Sequence, residues 1–132
     1  MHKDVVIVGA GISGIAAGYN LKKTCPNKSF TILEGRNNIG GTWDLFKYPG
    51  IRSDSDMHTL GYRFKPWIHD KSIADGPSIL KYINETIDEN NLRKDILLNH
   101  KVKSSNWNSD KSVWELEIHE NNKLKPVSYT HL

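Results

Sequence analysis

An α/β fold built on a parallel sheet, with a small antiparallel β-meander beside it, is what this sequence predicts, on three observations. A nearly unbroken Val/Ile run, Asp4 to Val8, leads directly into a glycine-rich turn and then a helical stripe. A second short run, Ser29 to Leu33, follows that stripe and ends at an acid, Glu34. Far downstream, "VWELEIH" alternates apolar and polar residues. An unbroken apolar run implies burial on both faces, as in a parallel sheet. Strict alternation implies a half-exposed antiparallel strand.

The elements follow in order. Asp4 to Val8 is the first strand. A helix is expected from about Ile12 to Thr24, because Ile12, Ile15, Ala16 and Tyr19 share one stripe at helical spacing. Lys22 and Lys23 complement the negative end of its dipole, and Pro26 closes it. Ser29 to Leu33 completes strand–helix–strand in about thirty residues, the length of a βαβ unit. Gly35 to roughly Asp70 reads as a loop long enough to be functional or disordered, and its aromatics argue against disorder. A second helix is expected from about Pro77 to Asn90, with Ile79, Leu80, Ile83 and Ile87 as its apolar face. Three strands should follow, Ile96 to Lys103, Ser105 to Trp107 and Val113 to His119. Pro126 is expected to interrupt any strand after them, and no pattern in the last seven residues accounts for them as folded structure.

Composition narrows the function classes. The 132 residues suit one domain with a sizeable core, and 37% hydrophobic with 25% charged residues excludes a disordered or fibrous chain. A net charge of +3, spread among acids, is no nucleic-acid footprint, which would gather basic residues on one face. Cys25 is the only cysteine, so an internal disulfide and CxxC redox chemistry are excluded. The six histidines show no metal spacing, and no metal is expected. No apolar run approaches the ~20 residues needed to span a bilayer. The start could pass for a short signal peptide, but its glycine spacing argues otherwise, and the expectation is a cytoplasmic protein.

"VVIVGAGISG" sets Gly9, Gly11 and Gly14 in GxGxxG spacing. Gly9 allows the tight turn off the strand, Gly11 lets backbone approach a pyrophosphate, and Gly14 lets helix and strand pack closely. The phosphates then sit on free N–H groups at the positive end of a helix. GxGxxG alone is a weak signal, but this one follows a buried strand and opens a helix. Glu34, twenty residues after Gly14, stands where a carboxylate accepts hydrogen bonds from a ribose diol. Together these predict a Rossmann-like dinucleotide site. A carboxylate there repels a 2′-phosphate, which favours FAD or NAD over NADP and leaves those two open.

"ILEGRNNIGGTWDLFKYPGIRSDSDMHTLGYRFKPW", together with "GAGISG", resembles the N-terminal region of class B flavoprotein monooxygenases, especially Baeyer–Villiger monooxygenases of the ethionamide-activating subgroup. The resemblance runs from Asp4 to about Ile118 and implies FAD as the occupant of the Glu34 site. It implies that Gly41, Thr42, Trp43, Asp44 and Leu45 lie along the flavin, where glycines permit close approach and Trp43 helps exclude water. Packing beneath the loop is the other reading for Trp43, and the favoured one for Phe46 and Tyr48. Asp54 is the catalytic candidate by resemblance, near flavin and nicotinamide, holding an Arg supplied from much later in the chain. Arg52 and Ser53 resemble positions near NADPH; Ser13 and Val102 resemble positions touching FAD, Val102 through its backbone beside the adenine.

The family uses NADPH to reduce the flavin, and dioxygen to insert oxygen into a ketone or to oxygenate a soft heteroatom such as sulfur. Its enzymes are several times longer, with a second glycine fingerprint, a linking FxGxxxHxxx signature and the catalytic Arg, none of which this chain contains. After Ile118, where the family has an apolar strand ending in a small-residue turn, this chain reads "NNKLKPVSYTHL". The expectation is therefore the N-terminal part of an FAD/NAD(P)-binding domain, residues 1–132, truncated or misread near its end. It lacks the NADPH domain, binds FAD weakly and is inactive alone. The alternatives are another flavoenzyme with two dinucleotide sites, such as an N-oxygenating monooxygenase, or a non-catalytic FAD-binding module.

Overall fold

The computed structural model describes residues 2–121 and 123–131. Strand β1 (His2–Val8) runs parallel to β2 (Phe30–Leu33), with Val5 opposite Phe30 and Val8 opposite Leu33. Helix α1 (Ile12–Thr24) makes the crossover and ends at Cys25, whose N–H donates to Leu21 O at 2.8 Å. Strand β3 (Ile96–Leu97) adds to β2 in parallel. Then β4 (His100–Asn108), β5 (Val113–Glu120) and β6 (Lys123–His131) form an antiparallel meander. The strand order is β3-β2-β1-β6-β5-β4, in one sheet of six strands.

The expected parallel sheet and antiparallel meander are both present, and they are continuous, because β6 pairs with β5 on one side and parallel to β1 on the other. Two expectations need correction. Pro126 does not end the strand. It stands opposite Glu117 of β5, two residues before β6 pairs with β1 at Ser128, in a stretch where β6 has β5 alone beside it among the described residues. Residues 123–131 therefore form a strand where none was expected, and Leu132 lies outside the described residues. Lastly, the strand expected from Ile96 to Lys103 is cut at Leu98–Asn99, where Asn99 adopts φ +59. The separate strand expected at Ser105–Trp107 is the second half of β4, beyond an irregularity of register between Val102 and Ser104.

The sheet folds back on itself. Glu34 O, at the end of β2, accepts the His100 N–H that starts β4, at 2.8 Å. Between the two halves lies a small core of Val6, Leu33, Leu116 and Ile118, with Val102 packed against it. The larger core fills the opposite face, where α1 and α4 (Gly76–Glu89) cover β1 and β2 through Ile15, Ile79, Ile83 and Ile87 against Phe30 and Ile32. Asp75 caps α4, its Oδ1 accepting the Ser78 N–H at 2.8 Å. The long loop is ordered by two single-turn helices, α2 (Thr42–Leu45) and α3 (Met57–Leu60). Tyr62 anchors it, donating its hydroxyl to Ile12 O at 2.7 Å in a stack with Phe64 and Tyr82.

Candidate dinucleotide site

The turn between β1 and α1 opens one wall of a cleft of about 270 Å³. Val8, Gly9, Gly11, Ile12, Ser13 and Gly14 line that wall; Gly40, Gly41, Thr42 and Trp43 line the other. Each glycine of the fingerprint has a separate physical reason. Gly9 has φ +98, which an L side chain rarely adopts. Gly14 is compelled by packing, since a Cβ there would lie 1.9 Å from Gly9 O. Gly11 has neither constraint. Its backbone is extended, φ −82 and ψ −173, and a Cβ would rest at an ordinary 3.7 Å from Gly41 Cα. Neither its φ nor its packing requires glycine at position 11.

Helix α1 begins at this cleft without a cap. No side chain bonds its first turn, no acid lies there, and the first intrahelical bond is Ile15 N–H to Gly11 O. The N–H groups of Ile12, Ser13 and Gly14 precede the ladder, at the positive end of the dipole.

Glu34 is buried beside the same turn. Its Oε2 accepts the Ala10 N–H at 2.9 Å and its Oε1 the Arg36 N–H at 2.9 Å. Each oxygen keeps a further lone pair for a diol. Glu34 thus also ties β2 to the glycine turn, a structural role that its position in the sequence did not disclose.

Arg36 is the residue that sequence reasoning missed. Its Nη2 lies 2.8 Å from Asp44 Oδ2, and its Nη1 donates to Gly41 O at 3.5 Å. Asp44 is buried in α2, its side chain 6% exposed. Its Oδ2 has this cation beside it but no donor aligned with it. No local pattern signals the pair, because the two charges lie eight residues apart and outside any regular element that would bring them together.

Of the residues expected at the site, the cleft gathers Gly9, Gly11, Ser13, Gly14, Gly41, Thr42 and Trp43. Glu34 and Asp44 adjoin it through Ala10 and Gly41 respectively. Leu45, Arg52, Ser53, Asp54 and Val102 do not line it. Ser53 is buried, with its Oγ accepting the Ala74 N–H at 3.1 Å, while Arg52 and Asp54 on either side are exposed. Val102 packs in the small core, two residues past the His100 that pairs with Glu34. Leu45, Phe46 and Tyr48 are 54%, 49% and 60% exposed, so core packing fails for Phe46 and Tyr48; Trp43 lines the cleft and also packs against the larger core.

Among the described residues, no group of His, Cys, Asp and Glu could hold a metal, and no helix is long and apolar enough to cross a membrane.

Comparison with known proteins supports the reading of this cleft. Residues 7–70 match the model of an NAD(P)-binding Rossmann-like domain. Over 131 residues, 99% of its length, the chain is 56% identical to an FAD-containing monooxygenase, EthA, of Mycolicibacterium smegmatis, covering 27% of that protein. It is 54% identical over 122 residues, 92% of its length, to a probable FAD-binding monooxygenase, AlmA, of an Acinetobacter species, covering 24% of it. The fold superposes on an oxidised steroid monooxygenase bound to NADP with TM-score 0.87 and 28% identity, over 98% of this chain and 25% of that one. The chain spans about a quarter of the length of the curated relatives it matches.

Proposed function

We propose that this chain, 56% and 54% identical to segments of two FAD-containing or FAD-binding monooxygenases, is the FAD-holding N-terminal part, residues 1–132, of a cytoplasmic FAD- and NADPH-dependent monooxygenase. The domain for the nicotinamide cofactor lies outside it. The observation that carries this reading is Gly11. A glycine that neither φ nor packing requires, at the mouth of a cleft and at an uncapped helix start, is accounted for by a ligand pressed against the backbone.

The residues present fit FAD. The N–H groups at the start of α1 would hold the diphosphate, with Gly9 and Gly11 giving it room. Glu34 would accept from the adenosine ribose, and the backbone near Val102 would face the adenine. Gly41, Thr42, Trp43, Asp44 and Leu45 would run beside the flavin, with Trp43 excluding water from that side. Ser53 is committed to Ala74, so its part is to anchor the segment that presents Arg52 and Asp54 to solvent, where NADPH and an Arg from elsewhere in the parent chain would meet them.

When bound, FAD would supply the redox chemistry of an NADPH- and dioxygen-dependent monooxygenation, in which one oxygen atom enters a small ketone, as in a Baeyer–Villiger oxidation, or sulfur, and the other leaves as water. The protein's part is to orient, to shield and to place charge. Titrating FAD into the purified chain tests the reading. Quenching of flavin fluorescence and an induced visible circular-dichroism band are expected. A folded chain that produces neither refutes it.

A further inference from the structure

Building on that reading of the cleft, we infer that Arg36 is a positioning residue for FAD, a latch that holds the Gly40–Leu45 wall against the Glu34 turn. Three hydrogen bonds and one ion pair converge on it. Its N–H donates to Glu34 Oε1, and its carbonyl accepts the Asn99 N–H at 2.9 Å, so its backbone is fixed to β2 and to the turn before β4. Its guanidinium reaches across to the opposite wall, 2.8 Å from Asp44 Oδ2, with the second arm of the fork on Gly41 O.

That wall rests on α4 and the larger core through Trp43 and Leu80, but few polar contacts set its position. Gly40 and Gly41 both adopt positive φ, +113 and +55, and α2 is a single turn without a side-chain cap. Beyond the guanidinium, the wall's polar ties are Gly40 N–H to Ala10 O at 2.9 Å and a loose approach of Lys47 to Asp44 at 4.0 Å, beside the packing of Trp43 on the larger core. Gly41 faces Gly11 so closely that a Cβ on Gly41 would lie 3.2 Å from Gly11 Cα. The Arg36 fork grips the wall beside this close approach, where it bears on the width of the cleft mouth. Arginine suits this, because a planar, always-charged fork can hold a carboxylate and a carbonyl at once, which a lysine ammonium does with less direction.

Replacing Arg36 alone strands the buried Asp44 charge and risks unfolding. The test therefore pairs Arg36→Lys with the double variant Arg36→Met/Asp44→Asn, which removes both charges together. Each is examined in the 132-residue chain by thermal melting, FAD titration and the visible circular dichroism of the bound flavin. The positioning role predicts that the double variant melts near wild type yet binds FAD at least about tenfold more weakly, with an altered flavin band. Arg36→Lys should fall between the two. A double variant that folds and binds FAD with wild-type affinity and band overturns the inference and leaves the proposed function standing. Failure of the folded wild type to bind FAD overturns the proposed function itself, before any variant is compared.

Discussion

Replacing Gly11 with Ala separates the demands of the fold from the demands of a ligand. The substitution adds one methyl group where the backbone is extended and the nearest atom, Gly41 Cα, is 3.7 Å away. Reduced freedom of the unfolded chain should contribute about 0.4–1 kcal/mol in favour of folding. A poorer N-cap should cost a comparable amount, since glycine is tolerated there far better than alanine. The two offset, and melting should shift by no more than about 2–4 °C. Binding should suffer more. A methyl group forced into a closely filled contact costs about 1–3 kcal/mol, which at ~1.4 kcal/mol per tenfold weakens FAD binding by roughly 5- to 150-fold. Gly14→Ala is the counter-case. Its Cβ would lie 1.9 Å from Gly9 O, so that variant should lose stability first, by ~3 kcal/mol or more. Melting curves and FAD titrations of both variants read the difference. A Gly11→Ala chain that melts normally and binds FAD as well as wild type would refute the argument that ligand approach selects this glycine.

Other outcomes can be checked with the same purified chain. Asp75→Ala removes the cap on α4 and should cost ~1 kcal/mol, read as a lower melting temperature. Hydrogen bonds from the Ser78 N–H and hydroxyl hold the Asp75 carboxyl below its usual 3.8, and the Thr59 hydroxyl and N–H do the same for Asp56. The stability these groups confer should be fully present above pH 3.8 and disappear as pH falls through their lower folded values, visible in a melting series into acid. Tyr62→Phe deletes the hydroxyl bond to Ile12 O and should cost ~1 kcal/mol near neutral pH. Burial, with Tyr82 nearby, raises the Tyr62 phenol above its usual 10.0. Its contribution is therefore full below pH 10 and is lost as pH rises toward the folded value, a loss that the phenylalanine variant lacks. Phe46→Ser and Tyr48→Ser should change stability by less than ~0.5 kcal/mol, because both rings are exposed; larger losses on melting would mean that they pack against the protein.

Where periodicity or a fixed spacing carried the information, the sequence was readable. The stripe of Ile12, Ile15, Ala16 and Tyr19 places α1 at Ile12–Thr24 as observed, and the glycine spacing places the cleft. The aromatics of the long loop were only half readable. Trp43 reaches the cleft, but α2 and α3 are too short to leave a helical period, and the exposure of Phe46 and Tyr48 follows from how those turns face. β6 was lost to a local rule. Proline does break ladders, but it is tolerated where a strand is paired on one side alone, and where β1 begins to pair is a matter of register between distant strands. The Arg36–Asp44 pair was hidden for the same reason, since a turn rather than a repeat brings it together. The placement of Ser53 inside and Asp54 outside likewise comes from the pairing with Ala74, which nothing local announces.

The partner that β6 finds in β1 has a consequence for how the chain acquires its structure. His2 pairs with Ser128, so strands from opposite ends of the chain lie side by side. As the polypeptide emerges from the ribosome, β1 can bond with β2 early, but its other edge stays bare until residue 128 has been made. That edge belongs to a Val-Val-Ile-Val run, a template to which another nascent chain could add. Closing it requires a contact that spans almost the whole chain, the kind that slows folding. The period most exposed to aggregation is therefore the interval between the synthesis of β2 and the arrival of β6.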